Sequence, residues 1–213
     1  MTVPYHGRMI DLPEELVLGT RNAGKLRELE PLLTPLGIRC RSLDGLVGAV
    51  EVEETGSTFA ENAALKASQQ AVALSRHVLA EDSGLLVDAL DGAPGVYSAR
   101  YSGPGATDDR NNDLLLERLA AADPARGRGA GYECHMAVAA PGGEILVTAS
   151  GGCRGIIATS RRGTGGFGYD PLFIVPECHA TFGELGPSVK AVISHRARAL
   201  RQLVEILRGR RGR

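Results

Sequence analysis

Two acidic clusters and a scarcity of lysine carry the first chemical information in this sequence. Glu51, Glu53 and Glu54 precede Gly56, and Glu81 with Asp82 directly follows the apolar run Val78, Leu79 and Ala80. Carboxylates at the end of a buried strand must be paired, hydrated or metal-bound, because leaving them dry and alone carries a heavy desolvation cost. A hard cation with oxygen ligands is the economical solution, and magnesium commonly takes one or two carboxylates together with substrate phosphates. The first cluster, taken alone, also reads as a solvated loop. Of the 24 Lys and Arg residues only Lys25, Lys66 and Lys190 are lysine. A lysine ammonium is a compact point charge and a guanidinium a planar fork, so a chain this rich in arginine has reason to keep lysine where a small cation touches phosphate. Chance survival of three lysines is the plain alternative.

The segment 19–25, from Gly19 through Thr20, Asn22 and Gly24 to Lys25, has the glycine and lysine spacing of a phosphate-binding P-loop. Leu26 stands where that loop would place a metal-binding hydroxyl, so an ordinary kinase or ATPase is disfavoured. What survives is a polar loop with Lys25 at a helix N-terminus, where backbone N–H groups and the helix dipole favour phosphate. A capped turn with a surface lysine is the competing reading. Segment 163–168 matches GxGxxG, but Tyr169, Asp170 and Pro171 follow it in place of a helix start, which excludes a dinucleotide fingerprint. Phe167 or Tyr169 could stack on a base while Asp170 accepts its N–H groups, or both rings could belong to the core. Asn62 and Lys66, four apart, share a helix face expected to be polar and opposite the alanines. Lys190, His195, Arg196 and Arg198 gather at the start of the last helix, where the dipole disfavours cations and a bound anion would resolve the conflict.

The elements that must position these groups follow from periodicity and turn chemistry. Residues 16–19 read as a short buried strand, and Leu26, Leu29, Leu33 and Leu36 keep helical spacing that Pro31 should kink or shorten. Thr58 and Glu61 form a capping-box signature ahead of an alanine-rich helix ending near Arg76. Strand pieces are expected at 78–80, 85–87 and 172–175, a helix at 111–122, and a hairpin of 133–140 with 144–149 turning at Gly142 and Gly143. Leu200, Leu203 and Leu207 mark a C-terminal amphipathic helix. Strand and helix units mixed with a hairpin imply an α/β fold with a mixed sheet.

With 213 residues and 43% hydrophobic content the chain can form one substantial core. The expected organisation is a single domain over 15–208, with poorly ordered extensions at 1–14 and 209–213. A net charge of -1 argues against a nucleic-acid partner, and the terminal RGRRGR run reads as a solvated end. Cys40, Cys134, Cys153 and Cys178 lie far apart, without the spacing of a disulfide scaffold, which favours a reducing cytoplasm. No leader-like apolar run follows the first basic residues and no stretch approaches a membrane span, so neither export nor a membrane partner is expected.

The blocks TRNAGK, EETGSTFAENAALKA, AEDSGL, GAPGVYSARYSG, GTGGFGYDPLF and KAVISHR occur in the order seen in the inosine triphosphate pyrophosphatase family. The chain resembles a bacterial-type member over residues 16–207. The resemblance implies a long mixed central sheet with flanking helices, two lobes around a substrate cleft, a homodimer, and magnesium as cofactor. It implies hydrolysis of ITP, dITP and XTP to the monophosphate and pyrophosphate. Thr20, Asn22 and Lys25 then resemble the triphosphate loop, and Lys66 the second phosphate-contacting lysine. Glu53 and Asp82 resemble metal-linked carboxylates, Asp82 also the base that activates water, with Ser83 beside it at the substrate. Phe167, Gly168, Tyr169, Asp170, Lys190, Ser194, His195 and Arg196 resemble the base-binding wall, with cationic His195 and Arg196 donating to a 6-oxo group. Glu81, where relatives can carry Asp, and the turn Pro187, Ser188, Val189 depart from the pattern. The rival readings are a pyrophosphatase for a different modified nucleotide and a non-catalytic nucleotide-binding protein, the second of which has no need of paired acids.

Overall fold

The computed structural model describes residues 13–211, so the expected N-terminal extension lies outside the described residues save for Pro13 and Glu14. Seven strands form one mixed sheet in the order β2-β1-β3-β4-β5-β6-β7. Strands β1 (Glu15–Leu18) and β2 (Arg39–Ser42) are parallel, β1 is parallel to β3 (Val78–Val87), and every later pairing is antiparallel. The two pieces expected at 78–80 and 85–87 are one continuous strand. Glu81, Asp82, Ser83 and Gly84 lie in its middle and pair with β4 (Gly129–Ala139) all along, so the acids do not sit at a strand end. Polar residues interrupted the apolar pattern without interrupting the ladder, because a strand takes its hydrogen bonds from the backbone.

The hairpin of β4 and β5 (Ile145–Ile157) turns where expected, with Gly143 at φ 87°, but both strands run further than the hydrophobic pattern. Strand β5 continues through Gly151, Gly152 and Gly155, and a Cβ at Gly155 would meet the Ile174 carbonyl and the Phe173 ring. These glycines mark close approach and not a break. The short β6 (Phe173–Val175) and β7 (Ala180–Thr181) complete the sheet.

Helix α1 (Ala23–Leu33) ends two residues after Pro31, and a 3-10 turn at Thr34–Leu36 follows. Helix α2 (Phe59–Leu74) has the full capping box of Thr58 and Glu61, and Ser75 at φ 51° closes it. Helix α3 spans Asp108–Ala121 and is capped by Thr107. The C-terminal cations lie on two helices, α4 (Pro187–Ile193) carrying Lys190 and α5 (His195–Arg211) carrying the rest; residues 209–211 continue α5.

Side chains alternate across a strand, and each face of the sheet has its own cover. On one face Leu79, Cys134, Met136, Val138 and Val147 pack under Leu29 and Leu33 of α1 and Leu200, Leu203 and Leu207 of α5. On the other, Val78, Ala80, Ala137 and Ala139 pack under Ala63, Ala67 and Ala71 of α2. Small residues let α2 lie close to the sheet. Strand β1 pairs with β3 only at Val78 and Leu79, so the following stretch of β3, from Ala80 to Gly84, is an edge without a strand neighbour on that side among the described residues. The candidate site forms along that edge, where Ser83 and Gly84 line a cavity.

Candidate active site

Alternation along β3 separates two acids that are adjacent in sequence. Glu81 points to the face covered by α1 and α5, and Asp82 to the face covered by α2. On the α2 side, Lys66 Nζ lies 2.8 Å from Asp82 Oδ1 and 2.9 Å from Glu54 Oε1. Asn62 donates from Nδ2 to Asp82 Oδ2 at 3.2 Å. The face carrying Asn62 and Lys66 is therefore not opposite the alanines: Asn62 is fully buried beside Ala63, and both polar residues point inward. Burial alone would lower the Lys66 pKa, but Asp82 and Glu54 outweigh it and the net shift is upward. Glu54 is pushed up by burial and pulled down further by Lys66 and Arg100, to a net position below the ordinary range. Glu54, and not Glu53, is the loop carboxylate that meets Lys66; the Glu53 side chain is exposed.

On the opposite face an alternating chain of charges links five segments. Lys25 lies 2.8 Å from Glu81, Glu81 2.8 Å from Arg196, and Arg196 2.5 Å from Glu28; Lys190 lies 3.1 Å from Glu28 and 2.5 Å from Asp170. Burial raises the Glu81 pKa, yet Arg196 and Lys25 hold it well below the carboxylate range. The Cys134 thiol, buried and in contact with Glu81, is pushed up. The anion that resolves the conflict at the start of α5 is thus internal, supplied by Glu81 and Glu28. For Asp170 burial outweighs Lys190, and its pKa lies above the ordinary value. His195 is driven well below the ordinary imidazole range by burial and by Arg196. It is a neutral ring, contrary to the expected cation; among the described residues its Nδ1 has no partner, and its face stacks on Tyr132 at 4.6 Å between centroids. Neutral imidazole offers one donor and one acceptor.

Ten of the expected residues line one cavity at the free edge of β3: Asn22, Lys25, Ser83, Phe167, Gly168, Tyr169, Asp170, Lys190, His195 and Arg196. Asn22 also caps α1, accepting from the N–H groups of Gly24 at 2.8 Å and Lys25 at 3.2 Å, while Thr20 accepts from Asn22 N. The capped-turn reading of this loop holds for its backbone. It fails for Lys25, whose side chain is only 18% exposed and turned toward Glu81. The Lys190 ammonium lies over the Phe167 ring at 4.4 Å, and Phe167 is only partly buried, whereas Tyr169 is buried with its hydroxyl on the Ser98 carbonyl. Asp170 accepts from Phe167 N and Lys190, so it closes its own loop. Ser194 is buried and caps α5 through Ala197 N. Ser83 accepts from Arg196 Nη2 at 3.1 Å.

Glu28 and Arg100 had no sequence signal, since each is one charge among many on a helix or turn. Only their partners, Arg196 and Glu54, give them meaning.

A model of the Ham1 family matches residues 16–206. The chain belongs to the Ham1 family. This Ham1-family chain is 53% identical over 190 residues to a dITP/XTP pyrophosphatase of Rhodopirellula baltica, covering 89% of this chain and 91% of that protein. It is also 53% identical to a dITP/XTP pyrophosphatase of an Exiguobacterium species, covering 89% and 94%. The Ham1 protein of Coxiella burnetii has the same fold, with a TM-score of 0.84 at 42% identity over 92% of this chain and 98% of that one. The expectation of a pyrophosphatase-family α/β fold is met, and the alternating charge chain is how this Ham1 member builds its cleft.

Proposed function

We infer that this enzyme hydrolyses non-standard purine nucleoside triphosphates, ITP, dITP and XTP, to the monophosphate and pyrophosphate. The observation that carries the reading is the Lys66–Asp82 pair at 2.8 Å, set at the open edge of β3 beside the capped loop that presents Lys25. The nucleotide lies along that edge, with its base against Phe167 and His195 and its phosphates toward Lys25 and Lys66. Asp82 orients and deprotonates the attacking water, and pyrophosphate leaves from the α-phosphorus. The lysines stabilise charge on the phosphate oxygens, the contribution that usually dominates such chemistry.

The acidic side also fits magnesium, since Asp82 and Glu54 offer only oxygen donors and converge on one ammonium. Asp82, with Glu54 or the exposed Glu53 from the same loop, would hold it, and the ion would supply further neutralisation of phosphate charge. Glu81 is not needed, because Lys25 and Arg196 already answer it. Base selection rests on the neutral His195 and on Arg196. A purine with O6 and N1–H satisfies them, and a buried donor left unpaired by adenine costs about 1–3 kcal/mol, which rejects ATP; GTP differs from ITP and XTP only at position 2, so its exclusion rests on contacts at that position.

The enzyme works as a homodimer in the cytoplasm. The family resemblance supports the dimer, and four free cysteines without the spacing of a disulfide scaffold support the compartment. Sedimentation of the purified chain checks the dimer. A panel of nucleoside triphosphates with magnesium, scored separately for phosphate and pyrophosphate, tests the reaction: dITP and XTP should yield pyrophosphate far faster than ATP or GTP. Release of single phosphates would sink the α-phosphorus mechanism.

A further inference from the structure

Asn62 is fully buried, yet it is a polar residue on the alanine face of α2. A buried amide must have both ends satisfied, and the two ends here serve different parts of the acidic side. Its Oδ1 accepts from Gly56 N at 2.8 Å, which fixes the amide orientation, because a backbone N–H can only donate. Nδ2 is thereby turned to Asp82 Oδ2, at 3.2 Å. One rigid side chain thus touches the carboxylate on β3 and the end of the loop that carries Glu53 and Glu54.

Gly56 supplies an independent observation. A Cβ built there would lie 2.6 Å from Asn62 Oδ1 and 2.7 Å from Glu61 Cβ, so the loop rests directly on α2 and no larger residue fits. One turn along the helix, Lys66 closes the same arrangement from the other side by bridging Glu54 and Asp82. Lys66 has an exposed fraction and a flexible stem, and it can turn to phosphate. Asn62 has neither freedom, so when Lys66 leaves, Asn62 is the group that still holds Asp82.

We propose that Asn62 is a positioning residue for the hydrolysis, clamping the acidic loop at Gly56 and aiming Asp82 at the attacking water. The proposal rests on the reading of Asp82 as the base. Asn62→Asp keeps the shape and still accepts from Gly56 N, but it cannot donate to Asp82 and opposes it with a like charge. In folded Asn62→Asp protein kcat should fall about tenfold or more while KM stays within about twofold, the pattern of an interaction made in the transition state. A merely structural role would lower the melting temperature and leave kcat intact below it. Asn62→Ser, too short to span both partners, should behave likewise and replaces Asn62→Asp if that variant does not fold. Gly56→Ala, which lifts the loop from Asn62, should lower kcat several-fold and decides the matter if neither Asn62 variant folds. Wild-type kcat in a folded Asn62 variant, or in Gly56→Ala where only that folds, overturns the proposal. Asp82→Asn, run in the same assay, separates the two readings. If it is inactive while Asn62→Asp turns over normally, only the positioning role fails; if it retains full turnover, the reading of Asp82 falls and the positioning role with it.

Discussion

The two faces of β3 treat charge in opposite ways. On the α1 and α5 face the carboxylate of Glu81 is 1% exposed and the side chain of Arg196 2%, and they belong to a chain in which every charge touches an opposite one. On the α2 face Lys66 and Glu54 keep 13% and 26% exposure, and Arg100 reaches Glu54 from solvent. A fully desolvated pair is held by geometry and cannot release a partner without a large penalty. A pair that keeps contact with water loses less on exchanging partners. The Glu81–Arg196 pair builds a cleft wall of fixed shape, and the partly exposed lysines, Lys66 on the α2 face and Lys25, 18% exposed, at the rim of the other, are the groups that can turn to substrate.

The sharpest break is expected at Asp82. Asp82→Asn keeps the shape but removes the base, and pyrophosphate release from dITP should drop by about a hundred- to ten-thousandfold. Binding of a non-hydrolysable dITP analogue should persist. Near-normal turnover in the folded variant would remove Asp82 from the reaction.

Glu81 and Glu54 sharpen the contrast in stability. Glu81→Ala strands Arg196 and Lys25 in a dry site and should cost about 3–5 kcal/mol, read from the urea midpoint. Glu54→Gln should cost less than about 1 kcal/mol. Equal losses would show that the two faces do not differ.

A smaller effect is expected from charge-preserving changes. Lys25→Arg and Lys66→Arg should each lower kcat/KM about tenfold, near 1.4 kcal/mol, because a planar fork does not occupy the seat of an ammonium. Wild-type kinetics in both would make the scarcity of lysine an accident.

The smallest is a pH effect on stability at His195. Its folded pKa is depressed far below the 6.5 of a free imidazole, so the unfolded chain takes up this proton first. The stability it contributes is present above pH 6.5 and lost as pH falls from there toward the folded value. His195→Phe, which preserves the stack on Tyr132, should flatten the fall in melting temperature below that pH. A residual slope should remain from His77, depressed by burial. An unchanged acid slope would mean that His195 is charged in the folded protein.

Much of this was legible in the chain itself. Thr58 with Glu61, the leucine spacing of α5 and the glycines at 142 and 143 announce α2, the last helix and the β4–β5 turn, because caps, amphipathic faces and tight turns are local devices. The sequence also singled out Lys25, Lys66, Lys190, Asp82 and Arg196 by residue type; the structure brings Lys25, Lys190 and Arg196 to one cavity and pairs Lys66 with Asp82 on the other face of β3. It hid the continuity of β3 through four polar or glycine positions, the edge strand β2 with its alternating arginines, and the extension of β5 through glycines. In each case the ladder and the neighbouring helix, and not local hydrophobicity, hold the strand.

What only the tertiary structure decided is which charge meets which. Glu81 and Asp82 are neighbours on the chain and strangers in space, because a strand sends successive side chains to opposite faces. Glu28 and Arg196 are 168 positions apart and lie in contact. The neutrality of His195 is likewise invisible in sequence, since it comes from burial beside Arg196. Residue type states what a group can do, but pKa and partner depend on distances of a few ångströms and on the exclusion of water, and those are set only when α1, β3 and α5 pack together.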